Sequence, residues 1–89
     1  MAAKFNAIVI HPDDNVATVT EAVPDGGSIY APGLALTARG EIPALHKVAI
    51  RRIAQGDPVF KYGQFIGAAS VDIESGQWVH LHNFQAEGK

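Results

Sequence analysis

The chain has no cysteine among its 89 residues, so it has neither a disulfide nor a thiolate metal site. That fits a reducing cytoplasm. It also has no long hydrophobic run. The apolar stretch within "MAAKFNAIVIHPDDN" is too short for a signal peptide and runs straight into charge. Nothing approaches the ~20 apolar residues that span a bilayer. A soluble cytoplasmic protein with no membrane partner is the expectation. An excess of one charge is lacking too: seven Lys and Arg stand against nine Asp and Glu. Nucleic-acid binders usually carry a basic excess or a basic stripe with aromatics, so no nucleic-acid partner is expected. Absent, finally, is the capped and sustained apolar period of an amphipathic helix.

Hydrophobic residues are present, at 47%, which sets the chain apart from disordered sequences. The length suits one domain with a small core. "FNAIVI" (Phe5 to Ile10) reads as a buried strand, and "NVATVTEAV" (Asn15 to Val23) as an alternating one. "PDGG" (Pro24 to Gly27) is a turn: Pro fixes φ, Asp bonds its own backbone, and Gly takes φ > 0. "SIY" and "LALTA" are short strands around "APG". In "EIPALHKVAIRRI", Ile42, Leu45, Ala49 and Ile53 suit a helical face, whereas Val48 and Ile50 suit a strand. A helical turn over Pro43 to His46 followed by a strand is expected. Short strands with closely spaced turn signals predict a mostly β domain.

The chain repeats itself. "IAQGDPV" (Ile53 to Val59) aligns with "IESGQWV" (Ile73 to Val79) at a spacing of twenty. An apolar anchor enters a tight turn, Gly56 or Gly76 supplies an unusual backbone angle, and a strand leaves. Between the copies, Gly67 in an apolar run marks a bulge or a close backbone approach. Trp78 and Phe65 read as core or subunit contacts. The second copy runs into His80 and His82. In a strand, residues two apart share a face, so both imidazoles point one way. With Asn83 beside them they begin a metal or carboxylate site, or else are surface histidines. Four of the seven cations, Lys47, Arg51, Arg52 and Lys61, fall within fifteen residues. They form either a solvated face or a seat for a small anion such as a carboxylate.

"IHPDDNVATV" (Ile10 to Val19), "IPALHKVAIRRIAQGDPVFKYGQFIGAASVDI" (Ile42 to Ile73) and "GQWVHLHN" (Gly76 to Asn83) resemble the N-terminal domain of the altronate/galactarate dehydratase family. That region is similar to the SAF domain. The resemblance implies a β-clip fold over residues 4–84, with 85–89 as a tail or linker stub. It also implies the small subunit, or N-terminal part, of an altronate-type hydro-lyase that is inactive alone and partnered by a larger catalytic chain. A small subunit of a related sulfolactate sulfo-lyase is the close alternative, and a non-catalytic sugar-acid-binding or assembly module a further one. Self-association is left open. Members dehydrate sugar acids and are associated with a divalent metal, commonly Fe2+, with Mn2+ or Mg2+ as alternatives, held mainly by the partner.

Carried onto this sequence, the resemblance implies His11 and His46 as catalytic residues and His80 and His82 as metal ligands. Asp14, Asn15, Lys47, Lys61 and Asn83 are implied to contact substrate. The residues alone leave simpler roles open: His11 as a strand end, Asp13 and Asp14 as an Asx turn, His46 as a turn residue, and Lys47 and Lys61 as solvated cations. The family pattern has glycine just before the central histidine. Here that position is Leu45, and if φ > 0 is required there, the expectation is strain, a reshaped loop and a redirected His46.

Overall fold

One seven-residue unit occurs four times, twice as often as the sequence repeat suggests. Its copies begin at Val23, Ile42, Ile53 and Ile73. In each, the fifth residue donates its N–H to the carbonyl of the second: Gly27 to Pro24 (2.8 Å), His46 to Pro43 (3.2 Å), Asp57 to Ala54 (2.9 Å) and Gln77 to Glu74 (3.1 Å). The fourth residue has positive φ: Gly26 at 82°, Leu45 at 68°, Gly56 at 88° and Gly76 at 93°. A turn whose third residue is left-handed needs that angle, and glycine adopts it at no steric cost. The seventh residue of each unit, Ile29, Val48, Val59 or Val79, is fully buried. The units pair through the bridges Val23 with Ile42 and Ile53 with Ile73.

The computed structural model of the chain describes residues 4–87. They form strands only: β1 (Ala7–Ile8), β2 (Val16–Val19), β3 (Ser28–Ala31), β4 (Leu34–Thr37), β5 (Lys47–Ala49), β6 (Pro58–Lys61), β7 (Gln64–Ala69), β8 (Trp78–Val79) and β9 (Phe84–Ala86). This is the mostly β, SAF-like architecture expected. An antiparallel sheet in the order β1-β2-β5-β8 lies at the centre. Alternation along its strands sends Ala17, Val19 and Val48 into one core with Ile29 and Ala31 of the β3–β4 hairpin. Val16, Ala49 and Val79 point the other way, into a second core with Val59, Ala69 and Phe84 of β6, β7 and β9.

Three local expectations are corrected. Pro43 to His46 is a turn of the repeated unit and not helical, because Leu45 takes the left-handed angle that breaks a right-handed helix. Of the supposed helical face, Ile42, Ala49 and Ile53 are buried, but Leu45 is 72% exposed. The boundary after residue 84 falls inside β9: Gln85 and Ala86 pair with Ala68 and Gly67, and Glu87 N–H reaches Ile66 O at 2.9 Å. Only residues 88–89 of the proposed tail lie outside the described residues. Gly67 explains the attachment. A Cβ there would collide with Gln85 O, so only glycine lets β9 close against β7. The β6–β7 register also shifts between Val59 and Phe60, as a bulge does.

Candidate functional site

Two histidine turns share one construction. In His11–Asp14, Asp14 N–H donates to His11 O (3.0 Å) and Asp14 Oδ2 accepts from His11 N–H (3.1 Å). In His80–Asn83, Asn83 N–H donates to His80 O (3.0 Å) and Asn83 Oδ1 accepts from His80 N–H (3.0 Å). The closing side chains are buried, Asp14 being 1% exposed and Asn83 5%. Asp14 Oδ1 also accepts from Gly63 N–H at 2.7 Å, which ties the first turn to the tip of the β6–β7 hairpin. Burial pushes the Asp14 carboxyl up, but N–H bonds from Gly63, His11, Tyr62 and Ile10 outweigh it and hold it below the usual carboxylate value. Asn15 bonds β6 of that hairpin twice, donating to Pro58 O (2.9 Å) and accepting from Phe60 N–H (2.8 Å). Asn83 Nδ2 donates to Trp78 O at 2.9 Å. Asp14, Asn15 and Asn83 are thus engaged by backbone and shape the loops that carry the histidines.

The second turn delivers its histidines to an aromatic cluster centred on Trp78. β8 ends at Val79, so His80 and His82 stand on a turn and not on one strand face, a correction to the strand reading. The His80 ring lies parallel to the indole, with centroids 5.1 Å apart and planes 8° apart. His82 approaches the indole at 5.2 Å and His46 at 5.5 Å. His46 and His80 are 5.0 Å apart. Trp78 Nε1–H donates to His46 Nδ1 at 3.1 Å. An accepting Nδ1 puts the proton of the neutral ring on Nε2, which makes His46 Nε2 a donor. Leu45 keeps the turn geometry of its glycine counterparts, so the loop is not reshaped and His46 is held at the cluster.

Lys47 adjoins the cluster. It is half-buried, with its ammonium 5.1 Å from the centre of the Phe84 ring. Burial lowers its pKa, and the nearby Lys61 charge lowers it further. Lys61 Nζ lies 5.2 Å from the centre of the Tyr62 ring, and Tyr62 Oη donates to Thr18 Oγ1 at 3.0 Å. Neither lysine is in an ion pair among the described residues. His80 is held below the usual histidine value by desolvation, and then by the charges of His46, Lys47 and His82.

His11 stands apart from the cluster. Its ring packs on the hairpin tip, where a Cβ at Gly63 would come within 2.8 Å of it. Its Nδ1 accepts from Asp13 N–H at 3.1 Å. His11 lies against Gly63, which follows Tyr62 and Lys61 at the hairpin tip. The Lys61 charge acts on Lys47 and the Lys47 charge on His80, so the residues singled out fall at two stations of one electrostatically linked strip. A cleft of about 380 Å³ opens beside the cluster, lined by Arg39, Gln77, Trp78, His82 and Asn83 among others. Sequence reasoning missed Trp78 as the organiser of the site and Arg39 at its rim. The signal for Trp78 was its place two residues before His80; nothing local marks Arg39.

The strip offers imidazoles that donate and accept, and two amines that no carboxylate pairs among the described residues. It suits a small anion bearing hydroxyls. It does not make a metal centre unaided: among the described residues, no three His, Asp or Glu side chains converge as ligands.

Residues 5–87 match the family model of the altronate/galactarate dehydratase SAF domain. The chain is 37% identical over 76 residues to an altronate dehydratase of Bacillus subtilis (strain 168), covering 85% of this chain and 15% of that protein. It is 40% identical, over the same shares, to an altronate dehydratase of Escherichia coli (strain K12). It is 48% identical over 48 residues to the (2R)-sulfolactate sulfo-lyase subunit alpha of Paracoccus pantotrophus, covering 54% of this chain and 72% of that subunit. The chain therefore spans a small fraction of the dehydratases and most of the sulfo-lyase subunit. No helix among the described residues is long and apolar enough to cross a membrane.

Proposed function

The chain belongs to the altronate/galactarate dehydratase SAF domain family, and on that premise we propose that its histidine–lysine strip is one wall of a sugar-acid dehydratase active site whose other wall is a larger catalytic region. One observation carries this reading: His46 and His80 stand 5.0 Å apart, within reach of the Lys47 charge, and neither Lys47 nor the neighbouring Lys61 is in an ion pair among the described residues.

Removing water from a sugar acid takes a proton from the carbon next to the carboxylate. Its electron pair becomes a C=C bond, and the β-hydroxyl leaves with an added proton as water. Cations must hold the carboxylate and the negative charge that builds on it. Lys47 and Lys61 supply them here. The incoming carboxylate relieves the repulsion between two ammonium groups, one of them half-buried. A base and an acid are needed on the two sides of the reacting carbons. His46, its donor fixed on Nε2 by Trp78, takes one role in this reading, and His11 at the other station takes the second. Asp14, Asn15 and Asn83 act by holding these turns. The divalent cation associated with the family, Fe2+ or in its place Mn2+ or Mg2+, polarises the carboxylate when bound. Its ligands would come mainly from the catalytic region, with His80 and His82 the imidazoles this chain would add. On this reading the chain supplies one wall only and is inactive alone.

The test is a full-length chimera in which this chain replaces the matched segment of the Bacillus subtilis altronate dehydratase, assayed for water loss from altronate. Turnover is expected, and a folded chimera without it on altronate or galactarate sinks the reading. A second reading, the alpha subunit of a sulfolactate sulfo-lyase, is favoured by the 72% coverage of that small relative. Both reactions expel a group from the carbon β to a carboxylate. Activity on sulfolactate, with none on sugar acids, selects it.

A further inference from the structure

Leu45 is where the chain departs from its own rule. Of the four equivalent turns, three place glycine at the left-handed position, and the fourth places a leucine at φ 68°. A Cβ at such an angle collides with the backbone, so the leucine strains the turn. Packing within the chain gives no return, because Leu45 is 72% exposed. Leu81 repeats the anomaly of exposure. It lies between His80 and His82, is 78% exposed, and lines a cleft with Phe84 and Ala86. Both leucines are chain neighbours of the clustered imidazoles.

We propose that Leu45 and Leu81 are the apolar contacts by which this chain docks on the catalytic region of the dehydratase, sealing the imidazole cluster from water. The inference rests on the shared-site reading above. The occupant follows from length: the matched segment is 15% of the altronate dehydratases, so most of the enzyme lies beyond what this chain supplies. It follows also from place, since each leucine adjoins a histidine that the proposed site uses. Covering exposed apolar side chains next to reacting groups both holds the two parts together and dries the site, which strengthens its electrostatics.

The chain has no cysteine, so a single introduced thiol reports its own cover. Leu45→Cys and Leu81→Cys are each made in the isolated chain and in the full-length chimera, and the alkylation rate at that site is read by peptide mass. Both thiols are expected to label about tenfold or more slowly in the chimera, a burial worth about 1.4 kcal/mol per tenfold. Gln55→Cys, on another exposed turn, keeps its rate. Equal rates at 45 and 81 in a chimera that dehydrates altronate overturn the proposal and leave the shared-site reading standing. A chimera with no turnover overturns that reading and the proposal with it. In the isolated chain, Leu45→Gly is expected to raise the unfolding midpoint by about 4 °C. A lower midpoint means that the leucine serves this chain's own fold, which also overturns the proposal.

Discussion

The turns His11–Asp14 and His80–Asn83 are closed by the same pair of hydrogen bonds, yet one uses a carboxylate and the other an amide. The difference lies in what faces the spare atom. Asp14 meets only N–H groups, from Ile10, His11 and Gly63, and a carboxylate is all acceptor. Asn83 meets the Trp78 carbonyl, which needs a donor. The surroundings of each histidine are likewise set from outside the turn. The first turn ends against a hairpin tip, and the second follows a strand that carries Trp78. One scaffold therefore presents two imidazoles in different chemical settings.

If both stations serve one reaction, each must matter to turnover. In the active chimera, His46→Ala and His11→Ala are expected to lower kcat by about 10²-fold or more, the usual worth of a positioned acid or base. Wild-type turnover with His11→Ala would confine the site to the Trp78 cluster and break the link between the two turns. The next effect is on stability. Asp14→Ala strands buried N–H groups and should cost about 3 kcal/mol, read as a lower urea midpoint at unchanged m value.

Exchanging the closing groups sharpens the contrast. Asn83→Asp sets a carboxylate against the Trp78 carbonyl and should cost about 2 kcal/mol at neutral pH. Its sign with pH is opposite to that of Asp14. The introduced carboxyl must be protonated to donate, so its folded pKa is raised. The variant keeps most of its stability below the unfolded value of about 3.9 and loses it as pH rises through the folded one. A cost that does not vary with pH would show that Trp78 O is not what demands the amide.

Much of the fold could be read from spacing, because the repeated turn is local: anchor, turn, strand. Two of its four copies escaped for physical reasons. Leu45 hides the glycine signature of the second copy and lends its segment a helical period. In the first copy, "PDGG" reads as a turn by itself, and only the Val23–Ile42 bridge reveals its partner. The end of the domain was illegible because β9 exists by pairing with β7, across a glycine whose absent side chain gives no pattern. At the site, residue types were legible and directions were not. His80 and His82 share a side through a turn and an indole, since β8 stops at Val79, three residues short of His82. Asp14, Asn15 and Asn83 have the chemistry of substrate ligands, but each is taken up by backbone groups brought from 3 to 49 positions away.

The smallest expected effect separates the two turns by pH in the unmodified chain. Asp14 has a folded pKa below its ordinary 3.8. Its contribution is present above that value and is lost as pH falls through the folded pKa, so Asp14→Asn should flatten the most acidic limb of the stability curve. His80 is also lowered, from 6.5, but here the neutral form is the one favoured in the folded chain. The unfolded chain takes its proton first, so stability begins to fall as pH drops below 6.5 and stops falling once the folded ring is charged. His80→Gln should remove that shallow upper limb and leave the acidic one, which urea midpoints from pH 8 to pH 2 would resolve. If His80→Gln leaves the upper limb in place, neither desolvation nor the charges of His46, Lys47 and His82 act on His80. The second turn would then differ from the first in shape alone, and its histidine would enter the proposed site with ordinary proton affinity.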